Sequence, residues 1–502
     1  MSEPSLVETT VDHRLVRRIT AVLDLEPSAG AIEFERQWTT WGEIGDLARQ
    51  IADVSRAHGG DAPEVGILLR NRPAHVAAFL GVLLAGGCVV VINPSRGDER
   101  TRSDIADLDL PVLIGSSDDL ANLVDPRLAT TTVTIDDVTT APAVGRPAAP
   151  ARDAPTGRPG VAVLMLTSGT TGPPKRVELT YDMLAHSALG PQDTEAAPPT
   201  RLSSGAAIVN APLVHIGGVF RTLQCVVAAR PYVLLPRFEL DTWADAVRRH
   251  RPRAVSLVPT AVRMVLHSDL TADDLSSIKV VTSGTAPLSA EDSDAFTHKF
   301  GIPVLTSYAA TEFGGGVAGW TLADHREFWS RKRGSVGRAL PSAQLRVVGD
   351  DDAELAPDQV GLLEVKPGQH GPDAAWIRTT DLARIDTDGF LWIVGRADQA
   401  IIRGGFKVIP DDVRIALESH PAVEGASVVG RADDRLGATP VAMVELRAGQ
   451  SVTPAELHDH LTGRLARYEL PTAIAVVEMI PRTPSGKADL RAVRQHFEKE
   501  NP

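Results

Sequence analysis

Short apolar runs rich in β-branched residues alternate with helical patterns along the first half of the sequence, and this alternation constrains the fold most. EVGILL (64–69) and CVVVIN (88–93) have the length of buried strands, whereas IGDLARQIADVSRA (44–57) has the apolar spacing of an amphipathic helix. Strands that alternate with helices favour a parallel sheet covered by helices. The sequence therefore predicts an α/β fold with a mostly parallel sheet.

The apolar stretch from Val76 to Ile92 approaches membrane-spanning length but divides at Gly86 and Gly87. Its first part is typical of a buried helix and its second part of a buried strand. The start of the sequence mixes charges and has no apolar core of signal-peptide length. We therefore expect no integral membrane segment and a cytoplasmic location.

Length and charge limit the function classes. A chain of 502 residues is long enough for about three domains. Lys and Arg number 51 against 64 Asp and Glu, a net charge of −13. Because a net-acidic surface repels phosphate backbones, this charge argues against nucleic-acid binding as a main role, although a pocket for a small nucleotide stays open. Cys88 and Cys225 are the two cysteines, too few for a disulfide framework.

The pattern changes twice further along the chain. Residues 139–160 carry five prolines and predict an exposed linker. Beyond about residue 336, short alternating runs separated by Asp-Gly turns indicate antiparallel strands. From Gly395 onward, short strand patterns mix with helical ones such as DDVRIALESH, which predicts a small independent α+β domain.

The strongest local signal is LTSGTTGPPK, from Leu166 to Lys175, directly after the buried run VAVLML. Its glycines let backbone N–H groups approach an anion, its hydroxyls add donors, and Lys175 supplies a positive charge. It is not a Walker A loop, because Gly-Lys-Ser/Thr is missing and two prolines oppose an immediate helix. The segment indicates an anion-binding loop rather than a plain Ser/Thr/Gly turn.

TSGTTGPPK resembles the signature loop of the adenylate-forming (ANL) superfamily, which contains acyl-CoA synthetases, aryl-acid ligases, nonribosomal adenylation domains and luciferases. Other segments resemble the motifs of this family in the family's order: SGTAP (283–287), SYAATE (307–312), RTTDLARIDTDGFLWIVGR (378–396), GRADQAIIRGGFKVIP (395–410) and PRTPSGKADLR (481–491). The resemblance covers about residues 30 to 495 and is greatest to fatty- or aryl-acid CoA ligases. It implies an AMP-binding domain of parallel and mixed sheets with a distorted barrel (1–395), and a small mobile α+β domain (396–502) on a hinge at Asp398.

The resemblance also implies roles for individual residues. ATP would be bound by a large set: Thr167, Ser168, Gly169, Thr170, Thr171 and Lys175 at the phosphates, Ser283, Gly284, Thr285, Ala286, Pro287 and Tyr308 at adenine, and Asp381 and Arg396 at the ribose. Thr311 would donate to the α-phosphate and Glu312 would hold Mg²⁺, a hard cation that prefers oxygen ligands. Lys487 would stabilise charge developing between the acyl carboxylate and the α-phosphate, and the hairpin with Gly405 would face the acyl acceptor.

The implied reaction has two steps and needs no protein nucleophile, because the substrate carboxylate itself attacks the α-phosphorus of ATP. The site must then neutralise charge and align the reactants. ATP, Mg²⁺ and coenzyme A are the expected cofactors and co-substrates, and a small-molecule carboxylic acid is the expected partner. His215 lies in PLVHIGGVF (212–220), where it serves either the acyl pocket or the core. Gly217 and Gly218 permit either a ligand's approach or a tight bend.

Several positions depart from the family pattern and leave alternatives open. Ala309 and Thr380 replace glycines, Arg176 replaces a glycine and Tyr181 a histidine; Lys407, Asp412 and Arg414 are unusual near the acceptor hairpin. The alternatives are an amide bond synthetase, an acyl-AMP ligase that loads a separate carrier protein, and an inactive nucleotide-binding homologue. The motifs do not specify which acid is the substrate. They also leave the oligomeric state open, and a homodimer is one of the states that they allow.

Overall fold

A computed structural model describes residues 10–145, 157–167, 175–190, 197–403, 406–433, 435–483 and 486–499. The chain divides into two compact units. The first unit contains Met1–His325, Leu340–Ala343 and Pro367–Ala374, and the second contains Arg326–Ala339, Gln344–Lys366 and Ala375–Pro502. The domain boundary that the sequence places between residues 395 and 396 stays a prediction.

The strands up to residue 319 all lie in the first unit. They are β1 (Gly30–Phe34), β2 (Gln37–Thr40), β3 (Glu64–Leu68), β4 (Cys88–Ile92), β5 (Val112–Gly115), β6 (Thr131–Thr134), β7 (Ala143–Val144), β8 (Val161–Thr167), β9 (Lys175–Thr180), β10 (Ala207–Val209), β11 (Tyr232–Leu234), β12 (Ala254–Ser256), β13 (Val280–Ser283), β14 (Val304–Ala310) and β15 (Gly315–Gly319). The later strands are β16 (Arg338–Ala339), β17 (Gln344–Val348), β18 (Gly361–Lys366), β19 (Ile377–Ile385), β20 (Leu391–Arg396), β21 (Ile401–Arg403), β22 (Phe406–Val408), β23 (Val423–Asp433), β24 (Gly437–Leu446) and β25 (Ala473–Val477).

Helices separate most of these strands. They are α1 (Arg14–Leu23), α2 (Trp41–Gly59), α3 (Pro73–Leu84), α4 (Asp98–Leu108), α5 (Ser117–Leu123), α6 (Tyr181–Leu189), α7 (Ile216–Val227), α8 (Leu240–His250), α9 (Pro259–Leu266), α10 (Ala290–Phe300), α11 (Leu322–Phe328), α12 (Pro410–Glu418), α13 (Pro454–Leu461) and α14 (Leu490–Lys499). Local sequence signals explain where several of these helices begin. Thr40 and Glu43 form a capping box at the start of α2, and Pro73 occupies the first turn of α3, where its missing N–H is not needed.

A seven-stranded sheet with the order β7-β6-β5-β3-β4-β8-β9 forms the first core. Its inner strands β6, β5, β3, β4 and β8 run parallel, and β7 and β9 pair antiparallel at the two edges. The stretch from Val76 to Ile92 is the end of α3 followed by β4, and both elements are wholly buried. Among the described residues, no helix is both long enough and apolar enough to cross a membrane. The predicted α/β architecture with a mostly parallel sheet is confirmed.

Two further sheets complete the first unit. In one, β12, β13 and β14 are parallel and β15 returns antiparallel beside β14. The other has the order β10-β11-β1-β2. A buried cluster that includes Trp243, Phe296 and Val281 fills the space between the β12–β14 strands and helices α8 to α10. This packing fixes the carboxyl ends of β13 and β14, where the candidate site begins.

The second unit contains a four-stranded antiparallel sheet, β17-β18-β19-β20, in the region predicted to form short antiparallel strands. Its remaining part is an α+β fold in which β22-β21-β24-β23 form a sheet and β25 adds parallel to β24. Helices α12 and α13 cover one apolar cluster around Val413 and Leu457, and α14 covers a second around Phe497. The predicted small α+β fold is confirmed.

Candidate active site

Two of the predicted motifs follow adjacent parallel strands. β13 pairs with β14 so that Ser283 lies opposite Thr306, and the segments 283–287 and 307–312 therefore leave the same edge of the sheet together. Ser307 Oγ donates to the Ser283 carbonyl at 3.4 Å. A Cβ at Gly284 would come within 2.9 Å of Ser307 Oγ, so a larger residue would push these segments apart. Ligands of open parallel sheets bind at this carboxyl edge.

The loop after β13 carries two local signs of a binding site. Ser283 is 2% exposed, and within the described part of the chain its Oγ has no hydrogen-bond partner. Thr285 has a φ of +72°, which is unusual for a β-branched residue. Unsatisfied buried hydroxyls and strained backbone cluster where a ligand completes the structure. Both residues belong to the predicted adenine-side segment.

The Thr311–Phe313 segment forms a single 3₁₀ turn between β14 and Gly314. Phe313 anchors this turn in the core, with its ring 5.9 Å from that of Tyr308. His370 Nε2 donates to the Glu312 carbonyl at 3.0 Å and so fixes the backbone beside the carboxylate. The end of β14 and this turn thus carry the predicted adenine residue, α-phosphate donor and metal ligand in one continuous segment.

Glu312 fits the magnesium role by its chemistry, because carboxylate oxygens are the ligands that Mg²⁺ prefers. In the part of the chain that the structure describes, no group of three or more His, Cys, Asp and Glu side chains could hold a metal ion. In sites that bind nucleotides, Mg²⁺ is usually held by one or two carboxylates together with the phosphates of the substrate. Glu312 would then hold the ion, which supplies positive charge near the phosphates.

The glycines after Glu312 are packed rather than open. A Cβ would come within 2.6 Å of Met183 Cε at Gly314 and within 2.7 Å of Ser187 Oγ at Gly315. Ser187 Oγ also donates to the Gly314 carbonyl at 2.8 Å. Close packing against α6 therefore accounts for the small residues at Gly314 and Gly315, and these two positions do not open space for a wide substrate.

The predicted anion-binding loop connects β8 to β9, whose pairing places Thr167 opposite Lys175. Ser168, Gly169, Thr170 and Thr171 lie outside the described residues. Arg176, which departs from the family pattern, forms two hydrogen bonds of 2.9 and 2.8 Å with Asp104. This ion pair accounts for Arg176 as a structural residue.

Tyr181, a second departure from the family pattern, is a core residue. Its ring is almost fully buried, and its hydroxyl donates to the Gly87 carbonyl at 2.7 Å. Burial raises the pKa of this hydroxyl well above its ordinary value. Tyr181 therefore positions α6 rather than taking part in chemistry.

The residues predicted at the ribose lie in the second unit. Asp381 on β19 stands opposite Arg396 on β20, and its N–H donates to Thr379 Oγ1 at 3.0 Å. Arg396 donates to both carboxylate oxygens of Asp398, at 2.9 and 2.8 Å. The structure thus brings the predicted ribose residues together and joins them to the predicted hinge residue.

Lys487 lies in a tight turn of the second unit. The Thr483 N–H donates to the Lys487 carbonyl at 2.7 Å, and Gly486 supplies the left-handed conformation with a φ of +80°. The Lys487 side chain is exposed. Gly405 lies outside the described residues, as does its neighbour Gly404.

The unusual residues on α12 form a local charge cluster. Arg414 donates to Asp411 at 2.8 Å and to Glu418 at 2.7 Å, one turn apart on the same helix. Burial, together with the negative charges of Glu469 and Asp411, raises the pKa of Asp412 to about 6. This cluster has partners within α12, which accounts for Arg414 as a structural residue.

His215 is the N-cap of α7; its N–H donates to the Pro212 carbonyl at 3.0 Å, and its own carbonyl accepts from Gly218 at 2.9 Å. A Cβ at Gly218 would lie 2.1 Å from the Pro212 carbonyl oxygen, so this glycine serves a tight bend. Gly217 differs, because a Cβ there would meet no heavy atom of the described residues within 4 Å.

One charged residue near the site was missed from the sequence. Arg221, one turn after Gly217, donates to Thr282 Oγ1 at 3.0 Å, immediately before Ser283. Its position four residues after Gly217, on the same face of α7, is the signal that could have identified it.

Comparison with known proteins agrees with these observations. A family described as "AMP-binding enzyme" matches residues 20–370, and "AMP-binding enzyme C-terminal domain" matches residues 415–487. Indoleacetate–CoA ligase from Aromatoleum aromaticum is 30% identical, with 94% of this chain and 96% of that protein covered. 4-Coumarate–CoA ligase 1 from Oryza sativa subsp. japonica is 29% identical, over 92% of this chain and 88% of that protein.

A solved structure has the same fold over nearly the whole chain. The O-succinylbenzoate coenzyme A synthetase from Bacillus subtilis, in complex with ATP and magnesium ion, superposes with a TM-score of 0.76 at 25% identity, over 96% of this chain and 99% of that one. The predicted family, enzyme class and cofactors are confirmed. The chain belongs to the adenylate-forming superfamily of AMP-binding enzymes, as an AMP-forming acid–thiol ligase that uses ATP, Mg²⁺ and coenzyme A.

Proposed function

We propose that this ligase adenylates a carboxylic acid and transfers its acyl group to the thiol of coenzyme A. The observation that carries the proposal is the pairing of β13 with β14, which brings the strained 283–287 loop and the Thr311–Glu312 turn to one edge of the sheet. The CoA ligases to which the chain is similar support the thiol as acceptor.

In the first half-reaction, a carboxylate oxygen of the acid attacks the α-phosphorus of ATP and pyrophosphate leaves. Thr311 donates a hydrogen bond to the α-phosphate, and Tyr308 lies against adenine with the loop from Ser283 on its other side. Glu312 carries the charge that holds Mg²⁺. These groups act by positioning and by electrostatic stabilisation, which are the main needs of phosphoryl chemistry.

In the second half-reaction, the sulfur of coenzyme A attacks the acyl carbonyl carbon and AMP leaves with the bonding electron pair. Lys487 serves the first half-reaction, and rotation about Asp398 exchanges it for the hairpin that includes Gly405. Separate conformations for the two steps let one chain meet two different geometric demands. Asp381 and Arg396 bind the ribose hydroxyls throughout.

The test is pyrophosphate release with a panel of acids, from short-chain through long-chain to aryl, first without and then with coenzyme A. We expect one acid class to give release that coenzyme A stimulates strongly, with thioester and AMP formed in equal amounts. Adenylation without any stimulation by coenzyme A would contradict the acceptor and favour an amine or a carrier protein. Absence of release with every acid would contradict the reaction.

A further inference from the structure

Arg221 is a cation among neutral partners. Its guanidinium donates to Thr282 Oγ1 at 3.0 Å and to Gln224 Oε1 at 3.4 Å. Within the described residues it forms no ion pair. The ionisable group that affects its pKa is the thiol of Cys225. Burial lowers the pKa of Arg221 and raises that of Cys225 to about 12, so the thiol stays neutral and supplies no counter-charge.

Two other arginines of this protein that are largely withdrawn from water have carboxylate partners. Arg176 pairs with Asp104 at 2.8 Å and Arg263 pairs with Asp292 at 2.7 Å, with side-chain exposures of 17% and 15%. A guanidinium that is withdrawn from water without a carboxylate costs free energy. A guanidinium that is withdrawn from water without a carboxylate, as at Arg221, is typical of a group whose counter-ion arrives with a ligand.

The face of α7 that carries Arg221 is partly accessible to solvent. Gly217, Arg221 and Gln224 are spaced by four and three residues and so share one helical face, and all three keep partial exposure. Gly218 and Thr222, on the other side, are buried. The open space beside Gly217, noted above, lies on the same helical face as Arg221.

Hydrogen bonds join this face to both halves of the candidate site. Through Thr282, Arg221 contacts β13 at the residue before Ser283. Through Gln224, whose Nε2 donates to the Ser187 carbonyl at 3.4 Å, the same face is linked to the hydroxyl that binds the Gly314 carbonyl. Arg221 is therefore bonded directly to the strand that leads into the 283–287 loop, and through Gln224 and Ser187 it is connected to the segment after Glu312.

We infer that Arg221 is the counter-ion for a second anionic group of the acid, so that the preferred substrates are dicarboxylates or acids with another anionic group remote from the reacting carboxylate. The inference rests on the proposed function and specifies its substrate class. The reacting carboxylate itself is a poor partner for Arg221, because an oxygen held by a guanidinium loses nucleophilicity toward phosphorus. A monocarboxylic acid would displace water from Arg221 without supplying a counter-charge.

The test compares each diacid with its half-amide, which has the same length and shape but lacks the second charge; adipic against adipamic acid and terephthalic against terephthalamic acid are suitable pairs. We expect kcat/KM for pyrophosphate release to favour the preferred diacid over its half-amide by about 10- to 100-fold in the wild-type protein. Equal or better use of the half-amides by the wild type would overturn the inference, whatever any variant does.

Variants test whether the guanidinium of Arg221 causes the preference for the diacid over its half-amide. Arg221→Gln should bring the diacid to half-amide ratio close to one, and Arg221→Lys should keep part of it. Arg237→Gln, at an exposed arginine paired with Glu239, is the matched control and should leave the ratio unchanged. A ratio that Arg221→Gln does not alter would overturn the assignment.

A binding measurement tests this inference independently of the reaction. The preferred diacid should raise the melting temperature of the wild-type protein more than its half-amide does, and Arg221→Gln should abolish the difference. If no acid releases pyrophosphate, the proposed function fails, and these melting curves still decide whether Arg221 binds a second anion. Equal shifts with diacid and half-amide would overturn that binding role.

Discussion

Arg396 and Asp398 form a two-point ion pair, in which Nε and Nη2 of the arginine donate to the two carboxylate oxygens at 2.9 and 2.8 Å. The pair joins the residue that we propose for ribose binding to the residue that we propose as the hinge. The same guanidinium also donates to the hydroxyl of Thr380. A backbone rotation at Asp398 must therefore break this pair or move the guanidinium with it.

Replacing Asp398 should affect the second half-reaction more than the first. In Asp398→Ala we expect thioester formation to fall by about tenfold or more while pyrophosphate release without coenzyme A changes little, since hinge positions gate conformational steps. The pair is partly exposed, so the melting temperature should change little. Asp358→Ala, at another aspartate that pairs with an arginine, is the control. Equal losses in both half-reactions would contradict the hinge role.

Replacing Lys487 should have the opposite effect. Lys487→Ala removes a charge aimed at the first transition state, so we expect acid-dependent pyrophosphate release to fall by about 10²- to 10³-fold. Thioester formation from supplied acyl-adenylate should persist. Lys279→Ala removes a lysine that binds the Ser276 carbonyl and should leave both rates unchanged. Unaltered adenylation in Lys487→Ala would refute the role of Lys487.

A methyl group at Gly314 should destabilise the first unit. Gly314 combines a φ of +72° with a Cβ position 2.6 Å from Met183 Cε, so Gly314→Ala should lower the free energy of unfolding by about 2–4 kcal/mol. Gly301 has nearly the same φ, +70°, but no described atom within 4 Å, and Gly301→Ala should cost about 1 kcal/mol. Denaturant unfolding measures both values, and equal costs would show that α6 yields without strain.

The charge cluster on α12 should make stability depend on pH. The folded-state pKa of Asp412 is raised to about 6 from 3.8, so the unfolded chain loses this proton first and stability falls as pH rises between those values. Near pH 8, Asp412→Asn should therefore have a free energy of unfolding about 1–2 kcal/mol higher than the wild type, after allowance for solvent screening. Near pH 4 the variant and the wild type should be nearly equal in stability. Asp459→Asn, at an exposed residue of α13, should show no difference at either pH. A gain for Asp412→Asn that is the same at both pH values would exclude ionisation as its cause.

Local patterns in the sequence were enough to predict the strands and helices of this protein and the chemistry of its binding segments. Buried strands such as CVVVIN are recognisable because a strand covered on both faces must be apolar at every position, and β4 is buried throughout. The segments SGTAP and SYAATE are readable for a similar reason, since a nucleotide is bound by contiguous loop residues whose types are set by backbone approach and hydrogen bonding. The order of such segments was sufficient to identify the family.

Tertiary structure alone decided which distant residues meet. No spacing in the sequence indicates that Arg176 pairs with Asp104, that Gly314 packs against Met183, or that Arg221 reaches Thr282, because these contacts depend on how helices cross the sheets. The same limit applies to the charge on Arg221: an arginine in a helix is ordinarily solvated, and only its enclosed position without a carboxylate makes it a candidate for substrate recognition. Local composition sets what each segment can bind, whereas packing between distant segments sets the shape and charge of the space in which binding occurs.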